Sequence, residues 1–281
     1  MEAIFIKTAI FIKTNKLIKT ILLLLLLISL ISIFLIAIQT SSAATITVEK
    51  WGTGGDVTKN KVLNKELPKT NLTKQIIRAA KKGTPVVKFG NGEGPVTMIV
   101  AGVHGSELSS QVAAIRLIND LNKRKNIKGT IYVIPFVSPK ASSLNLRNHN
   151  GKNLNQIANR KGSVTNKIVK YAIDKKVTVA GDFHCTRPGG NPGRNIIMGN
   201  EFPDSESANM AIAISKLTGH GYKNGKIAGT EYPGALEDIL TLNGIPAVTC
   251  EVKTPHGKIA KGSVTQSYRQ MFFFLRYNKF I

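Results

Sequence analysis

The sequence predicts an α/β fold with a mainly parallel (mixed) central sheet and helices on both faces. Three observations carry that expectation. Short apolar runs rich in Val and Ile alternate with helical segments of amphipathic period through most of the chain. The first such run, Met98 to Val103, is apolar at every position, as a strand buried on both faces requires. Several runs end in histidine or carboxylate residues, at the strand carboxyl ends where open α/β sheets bind ligands.

Taken in order, the chain begins with a basic leader in which IFIKT occurs at Ile4–Thr8 and Ile10–Thr14 and LIKT at Leu17–Thr20. These units are too short to bury a core and read as low-complexity sequence. Ile21 to Ile38 follows without a charge, and as a helix it would be roughly 27 Å long, near the thickness of a bilayer's hydrocarbon layer. Lysines precede it, which keeps the N-terminus inside and sends the remainder across. Ser42-Ala43-Ala44 offers a small-residue cleavage site. Residues 1–44 are therefore expected to be a signal peptide or an uncleaved membrane anchor at 21–38, and residues 45–281 one exported domain, secreted or held on the outer face of the membrane. Asn71-Leu72-Thr73 is a glycosylation sequon that also suits a helix start before Ile76, Ile77 and Ala80, and the helix is the favoured reading. Gly90 to Pro95 reads as a turn.

Downstream, a helix is expected from Glu107 through Leu121, a strand over Thr130–Phe136 and a helix over Ser163–Lys175. A strand over Val177–Phe183 and helices over Ser205–Leu217 and Gly234–Leu242 follow. A strand at Pro246–Val252 and an amphipathic helix at Ser263–Tyr277 complete the pattern.

The formal charge of +23 is spread along the chain, since residues 1–44 hold only +3 of it. Such a surface suits an anionic cell-wall polymer or an acidic membrane face. No zinc-finger spacing and no interleaving of basic and aromatic residues is present, which disfavours nucleic acid.

The chemistry gathers at strand ends. His104 and Glu107 stand three residues apart across Gly105, at the passage from strand to helix, and can grip one divalent metal. The run Val177–Cys185 closes on Asp182-Phe183-His184; Asp182 and His184 share a strand face, so Asp182 can support the histidine's site. A zinc ion held by His104, Glu107 and His184 would keep an open fourth position, as in hydrolytic rather than structural sites, where a metal-activated water becomes the nucleophile. Glu251 ends another buried run and is the candidate general base and acid. Arg147, in the loop Asn145–Gln156, is the candidate stabiliser of a developing oxyanion.

Gly94 to about Val252 resembles the zinc carboxypeptidase superfamily, closest to its succinylglutamate desuccinylase/aspartoacylase branch. The motifs that carry this are GPVTMIVAGVHGSE, the strand and VSPKA turn at Ile131–Ala141, LRNHNGKNLNQ, GDFH and GIPAVTCEV, in the family's order. The resemblance implies zinc at His104, Glu107 and His184, Glu251 as base and acid, and Arg147 on the tetrahedral intermediate. It also implies Asn155 on a substrate carboxylate and Tyr232 as a substrate-capping residue. Two departures stand out. Gln156 occupies the place of the family's carboxylate-clamping arginine, a role a neutral amide fills poorly. Asn153 replaces an aspartate expected to orient a zinc-binding histidine. Cys185 and Cys250 are expected as a disulfide or as two buried thiols, and His149, His220 and His256 as surface or loop histidines, with His256 near the pocket.

The sequence thus points to an exported zinc-dependent amide hydrolase, a metallopeptidase or N-acyl amino acid deacylase acting on envelope peptides. The alternative is a non-catalytic envelope-binding protein on a degenerate form of the same fold.

Overall fold

A computed structural model describes residues 18–29, 44–90 and 92–281. The chain divides into two units, Met1–Thr40 and Ser41–Ile281. In the first unit, residues 18–29 form helix α1, whose Ile18, Ile21, Leu22 and Ile28 side chains are exposed. Among the described residues no helix is long and apolar enough to cross a membrane. Much of the expected span 21–38, and Ser42-Ala43 of the expected cleavage site, lie outside the described residues.

The second unit opens with β1 (Thr45–Glu49), α2 (Lys61–Glu66), α3 (Asn71–Ala80), β2 (Thr84–Gly90) and β3 (Val96–Ala101). It continues with α4 (Leu108–Leu121), β4 (Thr130–Ile134), α5 (Pro139–Ser143), α6 (Val164–Asp174) and β5 (Val179–Thr186). It ends with β6 (Ile196–Gly199), α7 (Glu206–Thr218), β7 (Gly221–Asn224), α8 (Leu236–Leu242), β8 (Ala247–Lys253) and α9 (Ser263–Tyr277).

The strands form one eight-stranded sheet in the order β1-β2-β4-β3-β5-β8-β6-β7. Its centre, β4-β3-β5-β8, is parallel, as the apolar runs predict. The flanks make it mixed: β2 runs antiparallel to β1 and β4, and β6 antiparallel to β8. Four flanking strands escape the apolar-run reading. β6 and β7 have four residues each, and β7 is Gly-Tyr-Lys-Asn, with no apolar run. β1 alternates in burial like a half-covered edge, and β2 carries Pro85. The Gly90–Pro95 segment, expected as a turn before a strand, also follows one, because it leaves β2 and enters β3.

The two faces of the sheet bury two separate cores, and β3 shows why its sequence is apolar throughout. Ile99 and Ala101 point into the core that holds α4, α7 and α9, whereas Met98 and Val100 point into the core that holds α6 and α8. Period-two alternation therefore feeds both faces at once. α4 goes beyond the amphipathic expectation, with eleven of its fourteen residues buried, because α9, α2 and α3 pack against it in addition to the sheet. Each fully buried Leu, Ile or Phe there contributes about 1.5–3 kcal/mol relative to exposure. α3 begins as a capped helix, with Thr70 Oγ1 accepting from the Thr73 amide at 3.1 Å, in keeping with the helix reading of the sequon.

Candidate active site

Sequence parity decides which face of the sheet bears the chemistry. On β5, Phe183 joins the α4/α9 core, so Asp182 and His184 project from the opposite face. On β8, Val248 and Cys250 join the same core, so Thr249 and Glu251 face the other way too. β5 runs past its expected end at Phe183 to Thr186, and in register His184 lies directly across from Glu251. The two cysteines stand on the far side of these strands, buried and unlinked, which settles the open alternative as two thiols. Burial pushes the Cys185 thiol pKa well up, an unreactive setting.

The other half of the site comes from the turn after β3. Gly102 takes a positive φ of 74°, and Gly105 lies so close to α5 that a Cβ there would meet Ala141 C at 2.3 Å. This tight passage seats Glu107 at the start of α4 with 2% exposure. Gly105 N–H donates to the Arg147 carbonyl at 3.3 Å, which ties the Arg147 loop to the same turn.

Glu107 is the hub. Its Oε1 lies 2.8 Å from His104 Nδ1 and accepts from Arg147 Nη1 at 2.7 Å. Its Oε2 lies 2.9 Å from His184 Nδ1 and accepts from the Cys185 amide at 2.9 Å. Burial raises the pKa of Glu107, but His104 and His184 more than reverse this and hold it well below the usual carboxylate value. The remaining ring nitrogens point outward to oxygen acceptors: His104 Nε2 to Asn153 Oδ1 at 2.7 Å and His184 Nε2 to Asp182 Oδ2 at 2.8 Å. Against the opposing effect of burial, Asp182 and Glu107 hold the His184 imidazole well above its ordinary pKa.

This donor set fits a metal ion. The ligating atoms of His104, Glu107 and His184 lie within 4.8 Å of one another. Both imidazoles turn Nδ1 inward to one carboxylate and present Nε2 to an outer oxygen. That arrangement fixes the ring tautomer that leaves Nδ1 free to ligate. Two nitrogens and a carboxylate oxygen are a zinc-type set. Asn153 occupies the outer position with an amide oxygen rather than a carboxylate.

A cavity of about 280 Å³ adjoins the triad. Besides His104 and His184, its lining brings together Arg147, Asn153, Asn155, Gln156, Tyr232 and Glu251. Glu251 Oε2 is buried without a hydrogen-bond partner, and burial followed by the charge of Glu107 pushes its pKa up to about 8. The side chain of Arg147 is 43% exposed, consistent with a residue at the solvent margin. Asn155 Oδ1 accepts from the Leu236 amide at 2.9 Å and so also fixes the start of α8. Tyr232 OH accepts from Lys223 Nζ at 3.1 Å. A second cavity of about 390 Å³ shares Arg147, Asn191 and Glu251 with the first and adds Arg187 and His256.

His149 and His220 lie in loops, as one of the two expected readings has it, but neither is a free surface histidine. His149 is buried, with Nδ1 2.7 Å from Ser138 Oγ, because its loop folds back under α5. His220 is partly buried between Gln266 and Gln270. His256 does stand beside the site: it pairs with the Cys185 carbonyl at 2.8 Å and comes within 3.7 Å of Glu107 Oε1. Glu237 also lines the first cavity and escapes sequence reading, because a glutamate in the first turn of a helix looks like an ordinary helix-dipole residue.

Residues 93–190 match the family model described as the succinylglutamate desuccinylase/aspartoacylase catalytic domain. The matched stretch holds the whole His104–Glu107–His184 triad and stops before Glu251. No curated protein sequence matches the chain. Among solved structures, an aspartoacylase family protein from Mesorhizobium loti is similar, at 18% identity and TM-score 0.58 over 86% of this chain and 69% of that one. A succinylglutamate desuccinylase/aspartoacylase from Rhodobacter sphaeroides shares 18% identity and TM-score 0.54 over 71% of this chain and 61% of that one. A metallo-carboxypeptidase from Burkholderia cenocepacia shares 15% identity and TM-score 0.57 over 88% and 68%. The chain thus spans less than two thirds of the Rhodobacter structure and little more than that of the other two. Over residues 93–190 the chain carries the succinylglutamate desuccinylase/aspartoacylase catalytic-domain pattern, on a zinc carboxypeptidase-like α/β fold.

Proposed function

We propose that this chain is an exported zinc-dependent amide hydrolase, a metallopeptidase or N-acyl amino acid deacylase acting on peptides of the cell envelope. The observation that carries the reading is the triad: two inward Nδ1 atoms and one carboxylate, each imidazole braced from outside by Asn153 or Asp182. His104, Glu107 and His184 would hold a zinc ion, which would supply Lewis acidity to a carbonyl and lower the pKa of water toward about 7.

The protein's own groups do the rest. Glu251, buried and unpartnered at Oε2, takes the proton of the attacking water and returns it to the leaving nitrogen. Arg147 uses one Nη on Glu107 and has further N–H donors for the oxyanion that develops on the carbonyl oxygen. Asn155, Gln156 and Tyr232 contact the substrate from the cavity wall. With Gln156 in place of a cation, a free carboxylate on the substrate is held weakly, which favours broader cleavage than strict removal of a terminal residue.

Export and envelope location rest on the basic leader, the uncharged stretch 21–38 and the exposed leucines of α1. The +20 carried by residues 45–281 favours an anionic wall polymer or acidic membrane surface nearby. The test is metal analysis of the purified chain together with mass analysis of envelope peptides incubated with it. Near-stoichiometric zinc and amide cleavage that stops on chelation are expected. Cleavage that persists without metal would sink the zinc mechanism. Bound metal with no cleavage of any peptide or N-acyl amino acid would favour a binding protein. Cell fractionation tests the location, and a chain found wholly in the cytosol would overturn export.

A further inference from the structure

Glu237 is the buried carboxyl that the proposed mechanism leaves unused. It sits in the first turn of α8, is 6% exposed, and lines the same cavity as Glu251 and Arg147. Its Oε2 is buried with no hydrogen-bond partner. Among the described residues no Lys, Arg or His forms an ion pair with it. Its neighbour Asp238 accepts a hydrogen bond from Asn200 Nδ2 at 2.7 Å and so has a structural role that Glu237 lacks. A buried acceptor left unsatisfied is costly, the more so when charged, so its place beside an open cavity calls for a reason.

The rest of the wall points to the partner. Thr249, on the same cavity, presents its buried hydroxyl toward Glu237, a neutral neighbour that leaves the carboxyl without a cationic partner. Gln156 is neutral, and Arg147, the one Lys or Arg in this lining, pairs through Nη1 with Glu107 rather than with Glu237. Glu231 on the rim is occupied by Lys223. A cation entering here meets a buried carboxyl with which no Lys, Arg or His among the described residues forms an ion pair. Burial and the nearby Asp238 and Asp182 push the Glu237 pKa up to about 8, so its ionised form is one that an arriving cation would stabilise.

We infer that this cavity receives a part of the substrate bearing an ammonium or guanidinium group, held by the Glu237 carboxylate. The inference rests on the amide-hydrolase reading and names its substrate class: amides of basic amino acids.

The test uses the full-length, zinc-loaded chain and three substrates of similar size, Nα-acetyl-lysine, Nα-acetyl-norleucine and Nα-acetyl-glutamate. We expect kcat/KM at least tenfold higher for the lysine compound than for the norleucine compound, with the glutamate compound poorest. In Glu237→Gln the lysine-to-norleucine ratio should fall to near one. Calorimetric binding of free lysine and free norleucine to the wild-type chain gives a second readout that needs neither turnover nor a variant, and lysine should bind at least tenfold more tightly. Equal affinity for the two, or a lysine preference unchanged in Glu237→Gln, would overturn the inference. Failure to hydrolyse any of the three would count against the amidase reading, while the calorimetric comparison still decides the pocket.

Discussion

The triad and the wall beside it are built on opposite principles. In the triad every ring nitrogen of His104 and His184 and both oxygens of Glu107 have partners, and only Oδ1 of the bracing Asp182 is left buried without one. On the wall, Glu237 Oε2 and Glu251 Oε2 are buried and have none. Both regions lie at the carboxyl edge of the same parallel strands, so burial alone does not separate them. The difference is that a preorganised metal site needs its ligands held rigidly before the ion arrives. A reacting or recognising group needs free hydrogen-bonding capacity for something that comes and goes. Fully partnered ligand atoms and orphaned wall oxygens thus mark different jobs within one site.

Substitutions can break this contrast. The largest effect is expected from His104→Ala, which removes one of three ligands: bound metal should fall to background and hydrolysis should vanish with it. Full activity without metal would dissolve the distinction between the regions. Glu251→Gln should keep its zinc and lose about 10²- to 10⁴-fold in turnover, because a wall residue acts on the proton rather than on the ion; equal loss of metal would move Glu251 into the triad. Arg147→Ala should lower kcat about 10²- to 10³-fold, the range for removing one oxyanion donor. A smaller effect is expected from Asn153→Ala, which strips the outer brace from His104 and should weaken metal affinity about 10- to 100-fold. Asn153→Asp should restore that affinity, as measured by competition with a chromogenic chelator.

The smallest effect concerns the pH dependence of the chelator-treated protein. Glu237 and Glu251 have folded-state pKa values pushed to about 8, against about 4.3 for an unfolded glutamate. Between those values the folded chain holds protons that the unfolded chain has released. Stability contributed by these groups is therefore lost as pH rises from about 5 to about 8. Thermal melts across that range should show Tm falling, and less steeply in Glu237→Gln. A Tm that climbs over the same interval would mean that the wall carboxylates are paired after all.

Several parts of the site were readable from local pattern. His104 and Glu107 announce themselves because a glycine-linked turn at the end of an apolar run is a local feature. Asp182 and His184 share a face because side chains on a strand alternate, which no packing can change. Glu237 was not readable, since an acid near the start of a helix is common and only the cavity and the missing partner give it meaning. The loop position of His149 is readable and its burial is not: whether a loop residue is covered depends on where α5 passes, not on its neighbours in sequence.

By itself the sequence determined the central parallel strands, the helices between them and the residues at the strand ends, because periodicity and turn chemistry act over a few residues. Tertiary structure alone decided the antiparallel flanks, whose short strands are stabilised by their partners rather than by their own pattern. It also decided the register that sets His184 across from Glu251, and the separation of partnered from unpartnered oxygens. Those depend on which groups meet after residues distant in sequence are packed together, and hydrogen-bond satisfaction is a property of that meeting.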